Sequence, residues 1–402
     1  MERIEKADSH YPWLTRRDNR TRLRSYRYDV VLQAQEPYPR LFDVTGLYLF
    51  TFIIILCTSD CGQFLDMASS KLKTLIDLVN DCDSFPYFYP DPNYYFQHLQ
   101  TYYHLRVASH PDVTLGYLLP SVALTFANLK DWEVNPPDPS LYSADGGPNP
   151  PRTVTLITGT TEAERSAVVA RTCEAMRKTG HWKVLDKWRD ELYPVYGPDR
   201  DVLFTIERSA SPLFGVVTYA AHLTAYFYSG PQRELKIWVP RRSRNKQTYP
   251  GMLDNTVAGG IAAGEQPLEC LVRECEEEAS LPEDIVRRNV KTAGAVTYFY
   301  IRDARAGGET GLLQPECQYV YDLDLTNEPG VECQPNDEEV EGFEIMTIEQ
   351  VKEALARDEF KPNCGLIMLD FLIRHGVYSK ENEPNYAEIT SRLHRRLEFP
   401  IG

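Results

Sequence analysis

The chain has 402 residues, 43% apolar and 25% charged, which excludes wholesale disorder and leaves room for two domains at ~150 residues each. Lys and Arg total 43 against 58 Asp and Glu, a net charge of −15, and this excludes a general nucleic-acid binder that works by neutralising phosphates. A phosphate-bearing small molecule stays compatible, because a divalent cation can supply the missing positive charge.

The first 66 residues differ from the rest. Residues 1–27 carry eight basic and four acidic side chains, and an uncharged stretch of 16 residues follows from Val44 to Ser59. That stretch is shorter than the ~20 residues of a membrane-spanning helix. It also begins too deep in the chain for an ordinary secretory signal. A signal anchor, a buried strand or helix, and a non-native extension from a misplaced start are the three readings. The last is favoured, because Met67-Ala-Ser-Ser resembles a fresh amino terminus before a periodic helix from Leu72 to Val79. The expected division is an atypical extension over 1–66, an accessory domain over 67–200 and a C-terminal domain over 201–402. Nine scattered cysteines without a CxxC pair read as free thiols in a reducing compartment. The cytoplasm is the expected location, with no membrane partner, and nothing in the sequence fixes an oligomeric state.

Eight of the seventeen residues from Tyr87 to Tyr103 are aromatic, interrupted by Pro90 and Pro92. With no basic residue between the rings, a packed core or a substrate-facing wall fits better than a platform for stacked bases. Residues 134–152 hold six prolines plus Gly146 and Gly147, which predicts an extended surface loop. A helix is predicted over Glu162–Lys178, capped by Thr160 or Thr161, with an amphipathic segment over Val184–Leu192. Strands are predicted at Val202–Glu207, Leu213–Tyr219, Leu223–Tyr228 and Glu234–Val239, then at Ala293–Ile301, Gln318–Leu323 and Val340–Met346. Helical periods return at Ile348–Arg357, Leu366–His375 and Tyr386–Leu397. This mixture predicts α/β or α+β packing.

The most informative stretch is Gly259-Gly-Ile-Ala-Ala-Gly-Glu265, followed by Arg273-Glu-Cys-Glu-Glu-Glu278-Ala-Ser-Leu281. Its three glycines make a turn, and Pro267 suits the first turn of a helix. On that helix Leu268, Leu271, Val272, Cys275 and Ala279 share an apolar stripe. Glu274, Glu277 and Glu278 gather on another face, because residues three and four apart are neighbours. Adjacent carboxylates repel unless a cation lies between them, and an oxygen-only set suits Mg²⁺ or Mn²⁺. A solvated acidic helix face is the plain alternative. Cys270 and Cys275 point in different directions and are expected to pack, as is His222 in its apolar run.

The whole stretch resembles the Nudix box, G-x5-E-x7-R-E-U-x-E-E-x-G-U, where U is a bulky aliphatic residue. Gly259, Glu265, Arg273, Glu274, Glu277, Glu278 and Leu281 match it, Cys275 is a small apolar substitute, and Ser280 replaces the last Gly. A left-handed residue after a helix costs a non-glycine on the order of 1 kcal/mol, so local strain with an intact site is expected. The resemblance implies a Nudix fold, a mixed sheet sandwiched between helices, here preceded by a smaller α/β domain. It also implies cleavage of a diphosphate by a metal-activated water, with Mg²⁺ or Mn²⁺ as cofactor and a small-molecule diphosphate as partner. Glu277 and Glu278 take the role of metal ligands, and Glu274 that of a further ligand or the general base. Arg273 and Glu265 would pair to hold loop and helix. Arg241, Arg242, Arg244 and Lys246, just before the box, are candidates for gripping the phosphates. Glu339 and Glu341 are candidates for a further carboxylate near the metal or the water.

A narrower resemblance covers residues 207–219 and 237–265, which are similar to fungal and plant Nudix proteins grouped with thiamine pyrophosphokinase-related proteins. It implies thiamine diphosphate or its damaged analogues as substrate, with oxidised nucleoside diphosphates or a non-hydrolytic ligand-binding role as alternatives. An isomerase of the isopentenyl diphosphate type shares the fold, but no cysteine stands just after the box strand to match it. A kinase is not indicated, since the chain has no GxxxxGK[ST] loop.

Overall fold

A computed structural model describes residues 72–136, 151–336 and 338–402. The expectations for residues 1–66, and most of the proline-rich loop, lie outside these. Among the described residues no helix is long and apolar enough to cross a membrane.

Two sheets carry the fold. The first has four strands, β1 (Tyr103–Val107), β2 (Gly116–Leu118), β3 (Trp132–Asn135) and β4 (Arg152–Leu156), in the order β2-β1-β4-β3. Helix α3 (Glu162–Lys178) follows; Thr161 and Glu164 form its capping box, each satisfying a backbone amide of the other. The helix buries Val168, Val169, Cys173 and Met176 against Val154 and Leu156 of the sheet and against Phe204 and Ile206 of a hairpin. That hairpin pairs β5 (Leu192–Tyr196) with β6 (Val202–Glu207). Residues Tyr103 to Val216 thus share one core, joined by Leu312.

The second sheet is mixed. It runs β10 (Val290–Ile301), β11 (Leu313–Asp324), β7 (Thr218–Ser229), β8 (Glu234–Arg242) and β12 (Val340–Thr347), with β9 (Val257–Gly260) paired to β7. Only the β11–β7 contact is parallel. Along β7 the faces alternate. Tyr219, Ala221, Leu223 and Ala225 pack toward helix α4 (Pro267–Ala279), whose Cys270, Leu271, Val272 and Cys275 are buried there. On the opposite face, Tyr226 packs with Met368 and Phe371 of α7 (Pro362–Arg374), beside α6 (Ile348–Ala356). Helix α1 (Leu75–Cys82) joins the same side through Leu78 and Val79. The chain is therefore of mixed α/β class, its larger sheet covered by helices on both faces.

Some local expectations shift. Residues 211–214 form a helical turn rather than a strand, because Pro212 fixes a helical φ and Gly215, at φ +61°, ends the turn. The two strands expected between 213 and 228 become the single strand β7. The segment Val184–Leu192 is a short 3₁₀ turn, Lys183–Lys187, leading into β5. Helix α5 (Glu283–Asn289) was not anticipated, its seven residues being too few to show a period. The aromatic run, which includes helix α2 (Pro92–Leu99), splits: Tyr95 and Tyr102 are buried with Phe85, which stacks on Phe299 at 4.1 Å, while Tyr89 and Tyr94 face solvent. The seven described cysteines are free and buried.

Candidate functional site

The site is built where β9, the glycine turn and α4 meet. Gly264 adopts φ +87° in the turn, a conformation that glycine reaches at little cost. Gly259 serves a different need: a Cβ there would overlap the carboxyl group of Glu274. Helix α4 ends in a left-handed Ser280 at φ +54°, with Leu281 N–H donating to the Cys275 carbonyl at 3.0 Å. The serine therefore takes the strained conformation that the missing glycine would supply.

Arg273 is the hub of the carboxylates. Its Nε and Nη2 donate to the two oxygens of Glu265 at 2.9 and 3.2 Å, and its Nη1 donates to Glu274 and Glu277, both at 2.9 Å. Glu278 stands apart, accepting from Ala258 N–H at 3.1 Å. Burial pushes its pKa up to about 8, with Glu274 and Asp254 adding repulsion. Burial also raises Glu274, against the pull of Arg273. Among the described residues no three acidic, thiol or imidazole groups converge closely enough to hold an ion as they stand. The donor set nevertheless suits a hard divalent cation. It is all oxygen, it includes a half-buried carboxylate whose repulsions favour added positive charge, and Gly259 leaves one wall to the backbone.

Each of the four basic residues expected to bind phosphate has a partner within the chain. Arg242 is buried, ion-paired with Asp254, and donates to the carbonyls of Thr248 at 2.9 Å and Tyr249 at 3.1 Å. Its guanidinium is thus engaged in holding its own loop. Arg241 donates to Glu344 at 3.2 Å, exposed Arg244 lies 3.8 Å from Glu341, and Lys246 pairs with Glu339. The basic loop and the second acidic group thus face each other. The charge of Lys246 is felt by Glu278.

A cavity of about 250 Å³ opens beside Gly259 and Gly260. Tyr193, Tyr219, Tyr249, Tyr298 and Tyr300 contribute rings to its wall, and Lys187, Arg189, Arg208, Arg302 and Lys361 contribute charge. These cations escaped the reading of the sequence because they come from four separate segments. The stretch Lys187-Trp-Arg189 and the Arg208 of Glu207-Arg-Ser-Ala were the available signal. His222 also borders the cavity; its Nδ1 lies 2.9 Å from Asn255 Oδ1, and burial pushes its pKa down to about 4. It is a partnered buried histidine, as its apolar surroundings imply. Cys270 and Cys275 are buried on the inner face of the box helix.

Residues 221–364 match the model of the NUDIX domain, and residues 147–218 match a domain of unknown function, DUF4743. The chain is 41% identical over 217 residues to the uncharacterized protein YJR142W of Saccharomyces cerevisiae, covering 53% of this chain and 63% of that protein. It is 35% identical over 235 residues to Nudix hydrolase 20, chloroplastic, of Arabidopsis thaliana, covering 58% of this chain and 59% of the relative. The chain thus spans about three fifths of these relatives. A crystal structure of DR0079 from Deinococcus radiodurans shares 20% identity, covers 45% of this chain and 99% of its own, and superposes with a TM-score of 0.32. The chain carries a Nudix domain preceded by an additional N-terminal domain.

Proposed function

We propose that the chain is a divalent-metal-dependent hydrolase of an organic diphosphate. The observation that carries this reading is the set of Glu274, Glu277 and Glu278 on one helix, the first two tied through Arg273 to Glu265 in the glycine turn. Glu274, Glu277 and Glu278 are the residues that would hold Mg²⁺ or Mn²⁺. When bound, the cation supplies charge neutralisation for the diphosphate and activation of water. Arg273 and Glu265 position the carboxylates, and Glu274, whose pKa burial raises, also suits the general base. Glu341 is left outside this assignment because it faces Arg244.

For the substrate we take thiamine diphosphate or an oxidised or damaged analogue, giving the monophosphate and phosphate. The similarity of residues 207–219 and 237–265 to the thiamine-related group supports this, as does a cavity that places tyrosine rings beside cations. The free cysteines support a reducing compartment, taken here as the cytoplasm. A panel of diphosphates, with thiamine diphosphate and oxidised nucleoside diphosphates as separate arms, tests the reading. Phosphate release that needs Mg²⁺ or Mn²⁺ and stops on chelation is the expected result. Ligand binding without turnover across the panel would overturn it.

A further inference from the structure

The hairpin β5–β6 lies outside the residues matched by the NUDIX model, yet it is built into the box. Ala263 N–H of the glycine turn donates to the Leu192 carbonyl at 2.8 Å, and a Cβ on Gly260 would strike the hydroxyl of Tyr193. At the same end of the hairpin, the buried carboxylate of Glu207 accepts from the backbone amides of Arg189 at 2.9 Å and Ser209 at 3.1 Å. Arg208 N–H in turn donates to the Glu191 carbonyl at 2.8 Å. These bonds fix the backbone on which the Arg189 and Arg208 side chains stand.

Both side chains reach the cavity, together with Lys187, Arg302 and Lys361. Among the described residues only one of these five cations, Arg208, has an ion pair with a carboxylate, Glu191 at 2.7 Å. Lys187 donates to the Gln247 carbonyl, and Arg302 donates to the carbonyls of Ala306 and Gly307 and to Gln314. The two acidic side chains on the cavity wall are already engaged. Asp81 pairs with Lys73 and Arg305, while Glu316 accepts from Tyr298 and Gln318. Four of the five cations thus make no direct ion pair with a carboxylate, and in a chain of net charge −15 such a wall suits an anionic ligand. Arg208 also borders the groove formed by Glu265, Arg273 and Glu274, so the cationic wall is continuous with the box.

We propose that the hairpin completes the catalytic pocket as a phosphate-binding wall, with Arg189 and Arg208 holding the phosphate groups of the substrate before the box carboxylates. This rests on the diphosphate reading and adds that the N-terminal domain supplies part of the substrate site. Guanidinium groups suit the role because they present paired donors to phosphate oxygens.

The test is calorimetric titration of the full chain with inorganic diphosphate in the presence of a chelator, for wild type, Arg189→Ala, Arg189→Lys and Arg208→Gln. The expected result is binding by wild type and a loss of about tenfold or more in Arg189→Ala and Arg208→Gln, with partial rescue by Arg189→Lys. Arg189 anchors the hairpin through its backbone amide, so Arg189→Ala keeps the fold, which near-ultraviolet circular dichroism checks. Wild type that fails to bind diphosphate, or a folded Arg189→Ala that binds as wild type does, would overturn the proposal. Loss of binding in the variants alongside a wild type that turns over no diphosphate would support this wall and defeat the hydrolase reading instead.

Discussion

The amide of Ala263 donates to the carbonyl of Leu192 across 2.8 Å, fastening the N-terminal hairpin to the glycine turn of the box. The carboxylate helix and the cationic wall are thereby held by one continuous backbone frame, although they come from segments matched by different domain models.

Ser280 is a place where the chain can be stabilised. It sits at φ +54° between α4 and Leu281, in a conformation that disfavours any residue with a Cβ. Ser280→Gly should raise the free energy of unfolding by about 1 kcal/mol, read from urea denaturation midpoints. Unchanged or lowered stability would show that the serine side chain compensates for the strain.

Arg242 should behave as a structural residue. Arg242→Met leaves the buried Asp254 carboxylate without its ion pair, and breaking such a pair costs about 3–5 kcal/mol. Thermal unfolding should detect a large drop. A variant of wild-type stability with a raised KM would instead return Arg242 to substrate binding.

Acid should destabilise the fold through His222. Burial, with Lys361 adding, pushes its pKa down to about 4 from the ordinary 6.5. Between those values the unfolded chain binds a proton that the native state refuses. Stability is therefore complete above pH 6.5 and is lost as pH falls toward 4, by up to about 3 kcal/mol from this group. His104 shifts in the same direction through burial and Arg106, so His222→Gln should flatten the profile only in part. An unchanged slope in His222→Gln would refute this origin.

The box was legible because its chemistry is local. Glu265, Arg273, Glu274, Glu277 and Glu278 span fourteen positions, so helix periodicity brings the last four side chains together and the adjoining turn supplies Glu265. The same locality exposed the left-handed Ser280. Strand β10 was recognised from β-branched and aromatic composition with its start misplaced by three residues, whereas β7 was read as two strands and only the second half of β11 was expected. The cationic wall was not legible. Arg189 and Arg208 meet only through the β5–β6 pairing and the Glu207 bonds, and a charged residue near a strand end looks like any solvated turn. The partner of Arg242 was equally hidden: a basic run beside the box invites a phosphate, while Asp254, with which it pairs, lies twelve residues further on.

The most direct measurement follows phosphate release from the best diphosphate of the panel by a colorimetric phosphate assay, in Mg²⁺ or Mn²⁺, for wild type and Glu277→Gln. Glu277 is exposed, with Arg273 as its partner, so the variant should fold as wild type does. The account predicts metal-dependent release by wild type and a loss of about a hundredfold or more in Glu277→Gln. Turnover at the wild-type rate in Glu277→Gln would contradict it.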